Sequence, residues 1–531
     1  MQHTAGTGTG LSRRGFLQAA GAATVAAPVW LGRLGDTGLA LGQTTAAQGA
    51  APAAADYFAQ AFGLDESDYA RLLSEALARG GDYADLFFQH SLGNWIVMED
   101  GVVNRAHTSV SLGVGVRVIR GERTGYAFSQ VLEMPAMLAA ARAAASLIAA
   151  GGIPAGGRGV EVAPPLLKPG LDLYPMALPW DQVETQARMD MLKRVEARLS
   201  AGDPRVKKTL LQFHDGWSRI LVATSEGLRR ADLRPRTSLY ASAVAEQGGR
   251  KESNYRDVTA RGGLELYTPE MLDALADETV SRTVNLFEAR PLMAGEMPCV
   301  LASGSAGILL HEAIGHGLEA DFNRRRVSTY AGRLGQRVAG EQVTVVDDGT
   351  IPHAHGAINF DDEGADSQRT VLVEKGVLRS YLHDRLSAAW YKTASTGSGR
   401  RQSYEHAPMP RMRATFMENG PHKPEEVIAQ VKHGLYAEQF SNGQVNIGAG
   451  DFSFYVKSGW AIENGKLSHP VKDINVIGNG PQALSNITMV ADDLKLARAG
   501  YMCGKLGQTV PVSQGLPTTL VSSMNVGGSH G

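Results

Sequence analysis

His311-Glu312-Ala313-Ile314-Gly315-His316 sets two imidazoles around a carboxylate, directly behind the apolar run Ile308-Leu309-Leu310. Two neutral imidazoles beside a carboxylate suit a zinc ion and the water it activates. The common zinc-protease pattern H-E-x-x-H places its histidines four residues apart on one helical face. Here they are five apart. At about 100° per residue, five steps along an ideal α-helix leave the two rings roughly 140° apart, too far to hold one ion. A π-type turn brings i and i+5 into line and is frequent at functional sites. Gly315, poorly suited to a regular helix interior, marks where such a turn fits. The bare string is a chance pattern of common residues; its setting argues for a site, because His and Glu behind a buried apolar segment are costly unless paired or ligated. Ala306 to Leu310 read as the start of the helix, with Ser303 or Ser305 as its cap.

At 531 residues the chain exceeds one ordinary core, so two or three domains are expected. Its 52 Lys and Arg nearly cancel its 54 Asp and Glu, which leaves no electrostatic footprint for nucleic acid. The 62 glycines are well above the usual level of about 7% and imply many turns and much β-structure. Near the N-terminus, Ser12-Arg13-Arg14-Gly15-Phe16-Leu17 precedes a weakly hydrophobic run, Ala19 to Ala27, which Pro28 ends. The segment resembles a twin-arginine export signal. A membrane anchor needs about 20 strongly apolar residues, and neither this run nor any other segment supplies them. The expected location is periplasmic or otherwise extracytoplasmic.

Cys299 and Cys503 are the only cysteines. An oxidising compartment favours a disulfide between them. The competing reading makes Cys503 a thiolate ligand beside His311 and His316, since three protein ligands leave an open position for catalytic water. Residue chemistry alone leaves both open.

The sequence pattern predicts an α+β fold: N-terminal α/β layers followed by a Gly-rich, β-rich C-terminal domain. An amphipathic helix is expected over residues 65 to 80, and strands at Asp85 to Gln89, Asn94 to Met98 and Val110 to Ile119. An Ala-rich helix, Met134 to Ala150, ends at a glycine-rich break over 151–157. Asp181 with Glu184 resembles a capping box opening a helix to Leu199. Strands follow at Thr209 to Phe213, Arg219 to Thr224 and Ser238 to Glu246, with Asp215-Gly216 as a turn, and then a helix opening at Thr268-Pro269-Glu270. The expected partition is 1–55 signal and linker, 56–155 N-terminal α+β domain, 156–290 middle α+β domain and 291–531 C-terminal metallopeptidase domain.

Three other polar clusters read more plainly. His353-Ala354-His355, flanked by Pro352 and Gly356, suits a solvated loop better than a metal site. Asp361-Asp362-Glu363-Gly364 reads as an acidic turn. The loop Gly397-Ser398-Gly399-Arg400-Arg401-Gln402-Ser403-Tyr404 is able to hold a carboxylate or phosphate, but lacks the strand-to-helix setting of a nucleotide loop.

The stretch His311 to Phe322, the acidic turn at Asp361, the Gly399 to Tyr404 loop and Cys503-Gly504-Lys505 together resemble the TldD/PmbA family of metalloproteases. So do the closing Gly507-Gln508-Thr509-Val510-Pro511-Val512 and the earlier Asp82 to Leu86 and Gly115 to Ile119. The resemblance spans roughly residues 65 to 530 in consistent order. It implies a zinc peptidase in which His311, His316 and Cys503 are the ligands and Glu312 is the general base. It also implies a dimer, with itself or with a TldE/PmbA-like subunit, enclosing the site so that only unfolded or flexible polypeptide enters. The zinc motif is the mark of the catalytic, TldD-like member. The export signal departs from the cytoplasmic character of familiar members, so partner and substrate do not transfer. The rival reading is a non-catalytic, zinc-stabilised exported binding or scaffold protein.

Overall fold

The computed structural model describes residues 57–149 and 161–527. The export signal and the glycine break at 151–157 fall outside the described residues. Among those described, no helix is long and apolar enough to cross a membrane. The fold is mixed α+β, as expected.

The helix predicted over 65–80 runs Glu66–Leu77; the Asp65 side chain accepts from the backbone N–H of Ser67 at 2.8 Å and of Asp68 at 3.1 Å. The strands are longer than their sequence signals. Residues 85–98 lie within one 17-residue strand, Tyr83–Glu99, and residues 209–224 within one of 19, Val206–Thr224. Asp215-Gly216 therefore sits in mid-strand instead of in a turn. Asp215 is fully buried and accepts from Arg188 at 2.6 Å and Asn94 at 2.8 Å, which satisfies its charge inside the sheet. At Gly216 a Cβ would stand 2.1 Å from the Leu92 carbonyl oxygen, so glycine serves close strand approach there. The helix expected from Asp181 begins at Thr185 and has no side-chain cap. Arg188 explains the difference: its guanidinium donates to the Trp180 and Val183 carbonyls and holds the preceding residues in a turn.

One seven-stranded sheet takes strands from both sides of the boundary expected at 155. From its edge the order is Arg123–Ser129, Val102–Arg120, Tyr83–Glu99, Val206–Thr224 and Leu228–Gln247, with Arg250–Ala260 and the short Leu166–Leu167 both pairing to the last. The regions before and after 155 thus share a sheet and differ in their cores. One core packs helices Glu66–Leu77 and Met134–Ala149 over Phe88, Val116 and Leu221; the other packs Thr185–Ala201 and Pro269–Asn285 over Met98, Phe213 and Leu239. Both lie on the same sheet face, since Phe88 opposes Leu221 and Met98 opposes Leu211 in one alternating register. The other face carries Ser91 opposite Ser218 and Gly93 opposite Gly216.

In the C-terminal region five strands pair in a ring: Gly295–Leu301, His433–Val445, Asp451–Glu463, Lys466–Asn479 and Thr519–Gly527, the last also closing onto Lys466–Asn479. A second sheet of six strands and two short ribbons complete it. The chain leaves the ring at Leu301 and enters the His311 segment, whose Leu309, Leu310 and Ile314 lie in the largest core with Phe440 and Phe454.

Two histidines buried away from acids make stability depend on pH. Burial holds His355 well below the ordinary imidazole range, helped by Arg236, Arg261 and Arg400, and burial alone lowers His383 to about 4. Between that value and about 6.5 the unfolded chain binds more protons than the folded one, so this stability is full above 6.5 and is lost as pH falls. His383 alone should cost about 2 kcal/mol at pH 5 relative to pH 7.5. Buried Asp257 and Asp361, both raised by burial, titrate in the opposite sense, so the assignment is read as a difference. Between pH 7.5 and 5 the wild type should lose more melting temperature than His383→Gln does, and equal changes in the two contradict it.

Candidate metal centre

The His311 segment is a helix of changing pitch: a 3-10 turn Ser305–Gly307, an α-turn Ile308–Leu310, a π-turn His311–Gly315 and a 3-10 turn His316–Leu318. The widened turn falls where Gly315 marked it and brings the histidines to one side, ring centroids 4.9 Å apart. Neither expected serine caps the segment. Ser303 donates to the Asp493 carbonyl and Ser305 to that of Glu438, tying the start to neighbouring strands instead. Irregular pitch leaves carbonyls unpaired, and side chains take them up. Tyr330 donates to the Ala313 oxygen at 2.9 Å, and Ser328 and Asn323 to that of Gly317 at 2.6 and 2.7 Å. Gly480 packs on the same turn so closely that a Cβ would stand 2.4 Å from the Ala313 oxygen.

The third donor arrives from far along the chain. Cys503 lies in the ribbon formed by Met502–Lys505 and Gln508–Pro511. Its Sγ stands 3.2 Å from His311 Nε2 and 3.4 Å from His316 Nε2. The three ligand atoms lie within 4.8 Å of one another, and all three residues are buried. A tetrahedral zinc with ordinary Zn–N and Zn–S bonds needs N···S edges of roughly 3.5 Å, so the donor set fits such an ion in type and size. Both cysteines are free. Cys299 is remote from the cluster, in a strand between Leu435 and Val521, where burial pushes its thiol up to about 12. The disulfide reading is not what the structure shows.

Charges around the cluster are arranged in layers. Burial opposes ionisation of Cys503, but His316, His311 and Arg411 overcome it and hold the thiol well below its usual range. Burial likewise opposes protonation of His316, while Cys503 and Glu319 raise it well above the ordinary value. His316 Nδ1 lies 3.0 Å from Glu319 Oε2, a contact that fixes which ring nitrogen faces the sulfur. Glu319 is fully buried; despite that, Lys505, His316 and Arg411 bring its carboxyl down to about 2. Lys505 reaches Glu319 at 3.1 Å and Asp321 at 2.7 Å, and Arg411 also donates to the Cys503 carbonyl. Glu312 differs from all of these. It is half-buried and forms no hydrogen bond or ion pair among the described residues; burial raises its carboxyl, with His311 and His316 pulling the other way.

Glu319, Lys505 and Arg411 were not legible as site residues, although two had spacing signals. Glu319 follows His316 by three residues, and Lys505 follows Cys503 by two on the same side of a strand. The other polar clusters stay apart from the centre. His355 is 2% exposed and not in a solvated loop. The acidic run is no solvated turn: Asp361, Asp362 and Glu363 are buried, with Arg234 on Asp362 at 2.5 Å and Arg117 on Glu363 at 2.6 Å. These ion pairs clasp the N-terminal sheet to the Gly399–Arg401 segment, where the Arg401 N–H donates to Asp362 at 2.7 Å.

Family models described as PmbA/TldA metallopeptidase domain 1, central domain and C-terminal domain match residues 84–148, 178–287 and 294–528. A Haemophilus influenzae protein named Metalloprotease TldD homolog is 36% identical over 461 residues, covering 85% of this chain and 94% of its own. A Saccharolobus solfataricus protein named Zinc metalloprotease TldD homolog is 28% identical over 344 residues, 65% of this chain and 76% of its own. Among solved structures, TldE from Thermococcus kodakarensis superposes with a TM-score of 0.68 at 17% identity, covering 87% of this chain and 99% of its own, a likeness of fold. With its metal-type donor cluster in the matched C-terminal domain, the chain belongs to the TldD/PmbA family of metallopeptidases.

Proposed function

We propose that this protein is a zinc-dependent peptidase cutting unfolded or flexible polypeptides, with His311, His316 and Cys503 as zinc ligands and Glu312 as general base. The observation that carries this reading is the convergence of two imidazole Nε2 atoms on a thiolate, beside a carboxylate that no other described residue engages in a hydrogen bond or ion pair. Zinc in that cluster supplies a Lewis acid, which polarises the peptide carbonyl and acidifies the attacking water from about 15.7 toward about 7. The remaining work falls to side chains. Glu312 accepts the proton from that water and returns it to the leaving amine, a role that suits a carboxyl raised by burial. Glu319 accepts a hydrogen bond from His316 Nδ1–H, which leaves Nε2 free as the donor to a metal, while Lys505 and Arg411 keep Glu319 charged and in place. Export by the twin-arginine route and assembly with a second family subunit, a like chain or a TldE/PmbA-like one, belong to the same proposal.

The test is metal removal. Protein stripped by a chelator should lose at least about 99% of its activity on casein, on the scale of general metal catalysis, and recover it with one equivalent of zinc. Full activity after complete stripping would end the proposal. Glu319→Gln should keep Glu312 chemistry possible but weaken zinc binding about 10- to 100-fold. Competition with a coloured chelator reads that shift, and an unchanged affinity would remove Glu319 from its supporting role.

A further inference from the structure

A cavity of about 390 Å³ opens on the sheet face away from the helices, between the sheet, the Gly399–Gln402 segment and the Cys503 ribbon. Its floor is cut by small residues in register. Ser111, Ser91 and Ser218 lie side by side across three strands, as do Ser109, Gly93 and Gly216; the next strand adds Arg234 opposite Ser218 and Arg236 opposite Gly216. A Cβ on Gly93 would stand 3.2 Å from His214 Nε2, so glycine keeps the floor open beside that ring.

Five arginines line this space, Arg234, Arg236, Arg261, Arg400 and Arg401, against the single acid Asp362. Asp362 already serves Arg234 and the backbone of Arg401, and Arg401 also reaches Asp85 at 3.2 Å. The other three form no ion pair among the described residues. Arg400 donates to the Met412 carbonyl at 2.6 Å and Arg261 to that of His355 at 3.2 Å; the Arg236 side chain forms no hydrogen bond or ion pair among the described residues, and its buried Nε is unsatisfied. His214 Nδ1 is a second buried nitrogen there without a hydrogen-bond partner among the described residues. A buried donor left without a protein partner is completed by water, an ion or a ligand, and here two such nitrogens face one cavity among unpaired arginines. Burial, with mutual repulsion behind it, brings Arg236 down to about 10 and Arg400 to about 9. An anion would relieve both. Phe87, Ile220, Met502 and Pro511 supply apolar walls, which suit the carbon stem of an organic acid better than an inorganic ion.

We propose that this cavity binds a carboxylate of the polypeptide substrate, on an acidic side chain or at a free C-terminus. The guanidinium fork matches a carboxylate in two parallel hydrogen bonds, and of the five lining arginines Arg236 is the one whose side chain makes no hydrogen bond or ion pair among the described residues. The place suits an anchoring subsite. Met502 and Thr509 line the cavity while Cys503, between them in the ribbon, points to the imidazoles, so cavity and metal cluster share a wall.

The assignment to a polypeptide rests on the peptidase reading. Three labelled decapeptides differing only in charge test it: one with internal Glu and an amidated end, one with Gln and a free end, one with Gln and an amidated end. Equilibrium binding is read in the Glu312→Gln background, so that it needs no turnover. At least one charged peptide should bind about tenfold tighter than the neutral one, a step of about 1.4 kcal/mol. Which one identifies the source of the carboxylate. Arg236→Gln should abolish the preference without weakening binding of the neutral peptide or lowering the melting temperature, since the Arg236 side chain holds no partner among the described residues and its charge is disfavoured by burial and by Arg261. Glutarate should compete with the charged peptide in protein retaining Arg236, a readout independent of that substitution. Equal affinities, a preference that survives Arg236→Gln, or no competition by glutarate would each overturn the proposal. A charge-selective protein whose wild type cuts nothing defeats the peptidase reading alone; an active one blind to charge defeats this proposal alone.

Discussion

Glu312→Gln will leave the metal bound and lower peptide cleavage about 10³-fold or more, within the range of 10²–10⁴ that positioned acid–base groups contribute. The change is nearly isosteric and removes only the capacity to take a proton. The structure gives it little else to disturb. Glu312 has no hydrogen bond or ion pair among the described residues, so the amide breaks none of them, and its half-buried position leaves room for the two amide hydrogens. Burial disfavours the Glu312 charge, with Cys503 and Glu319 adding to it and His311 and His316 opposing it, so a neutral amide should leave stability unchanged or slightly higher. A loss of 10³ corresponds to about 4 kcal/mol of transition-state stabilisation. Single-turnover cleavage of an unfolded peptide, with metal content measured on the same sample, decides the matter. Unchanged cleavage with full metal would make the cluster a structural tie, as in the zinc-stabilised scaffold reading. Lost metal would place Glu312 among the ligands.

Cys503→Ser should bind less than about a tenth of an equivalent of metal and lose activity with it. A serine hydroxyl does not ionise near neutral pH, and it replaces the one donor that faces both imidazoles, at 3.2 and 3.4 Å. In the wild type, zinc at about 1,000 times its Kd adds roughly 4 kcal/mol to stability by mass action. That increment, read as the rise in melting temperature on adding zinc, should vanish in the variant. The metal-free forms should differ less, because Cys503→Ser also removes a buried thiolate. Retention of one tightly held equivalent would strike Cys503 from the site.

The two histidines were readable because their neighbours constrain them. An off-period pair behind an apolar run has few ways to be buried, and Gly315 marked the place for a wider turn. Cys503 was not readable in that way, since 192 residues separate it from His311 and only the folded ribbon joins them; resemblance to a family singled it out. The supporting charges around Glu319 stayed hidden for the same reason, as Arg411 comes from a third segment. Helix positions were legible from periodicity, whereas strand ends were not. Asp215-Gly216 has the chemistry of a turn, and only a tertiary partner, Arg188, converts it into mid-strand. The acidic run at Asp361 misled in the opposite sense: three carboxylates in a row suggest solvent until Arg117, Arg234 and Arg401 are seen around them.

The π-turn has a consequence for how such proteins are found. One residue inserted into an α-helix rotates everything beyond it by about 100°. A π-turn absorbs that rotation, so His316 and the Glu319 that follows keep the phase to His311 that a four-residue interval would give. The insertion changes the count of residues and leaves the directions alone. Searches written for a fixed four-residue interval pass over such sites, while a search by angular phase retains them.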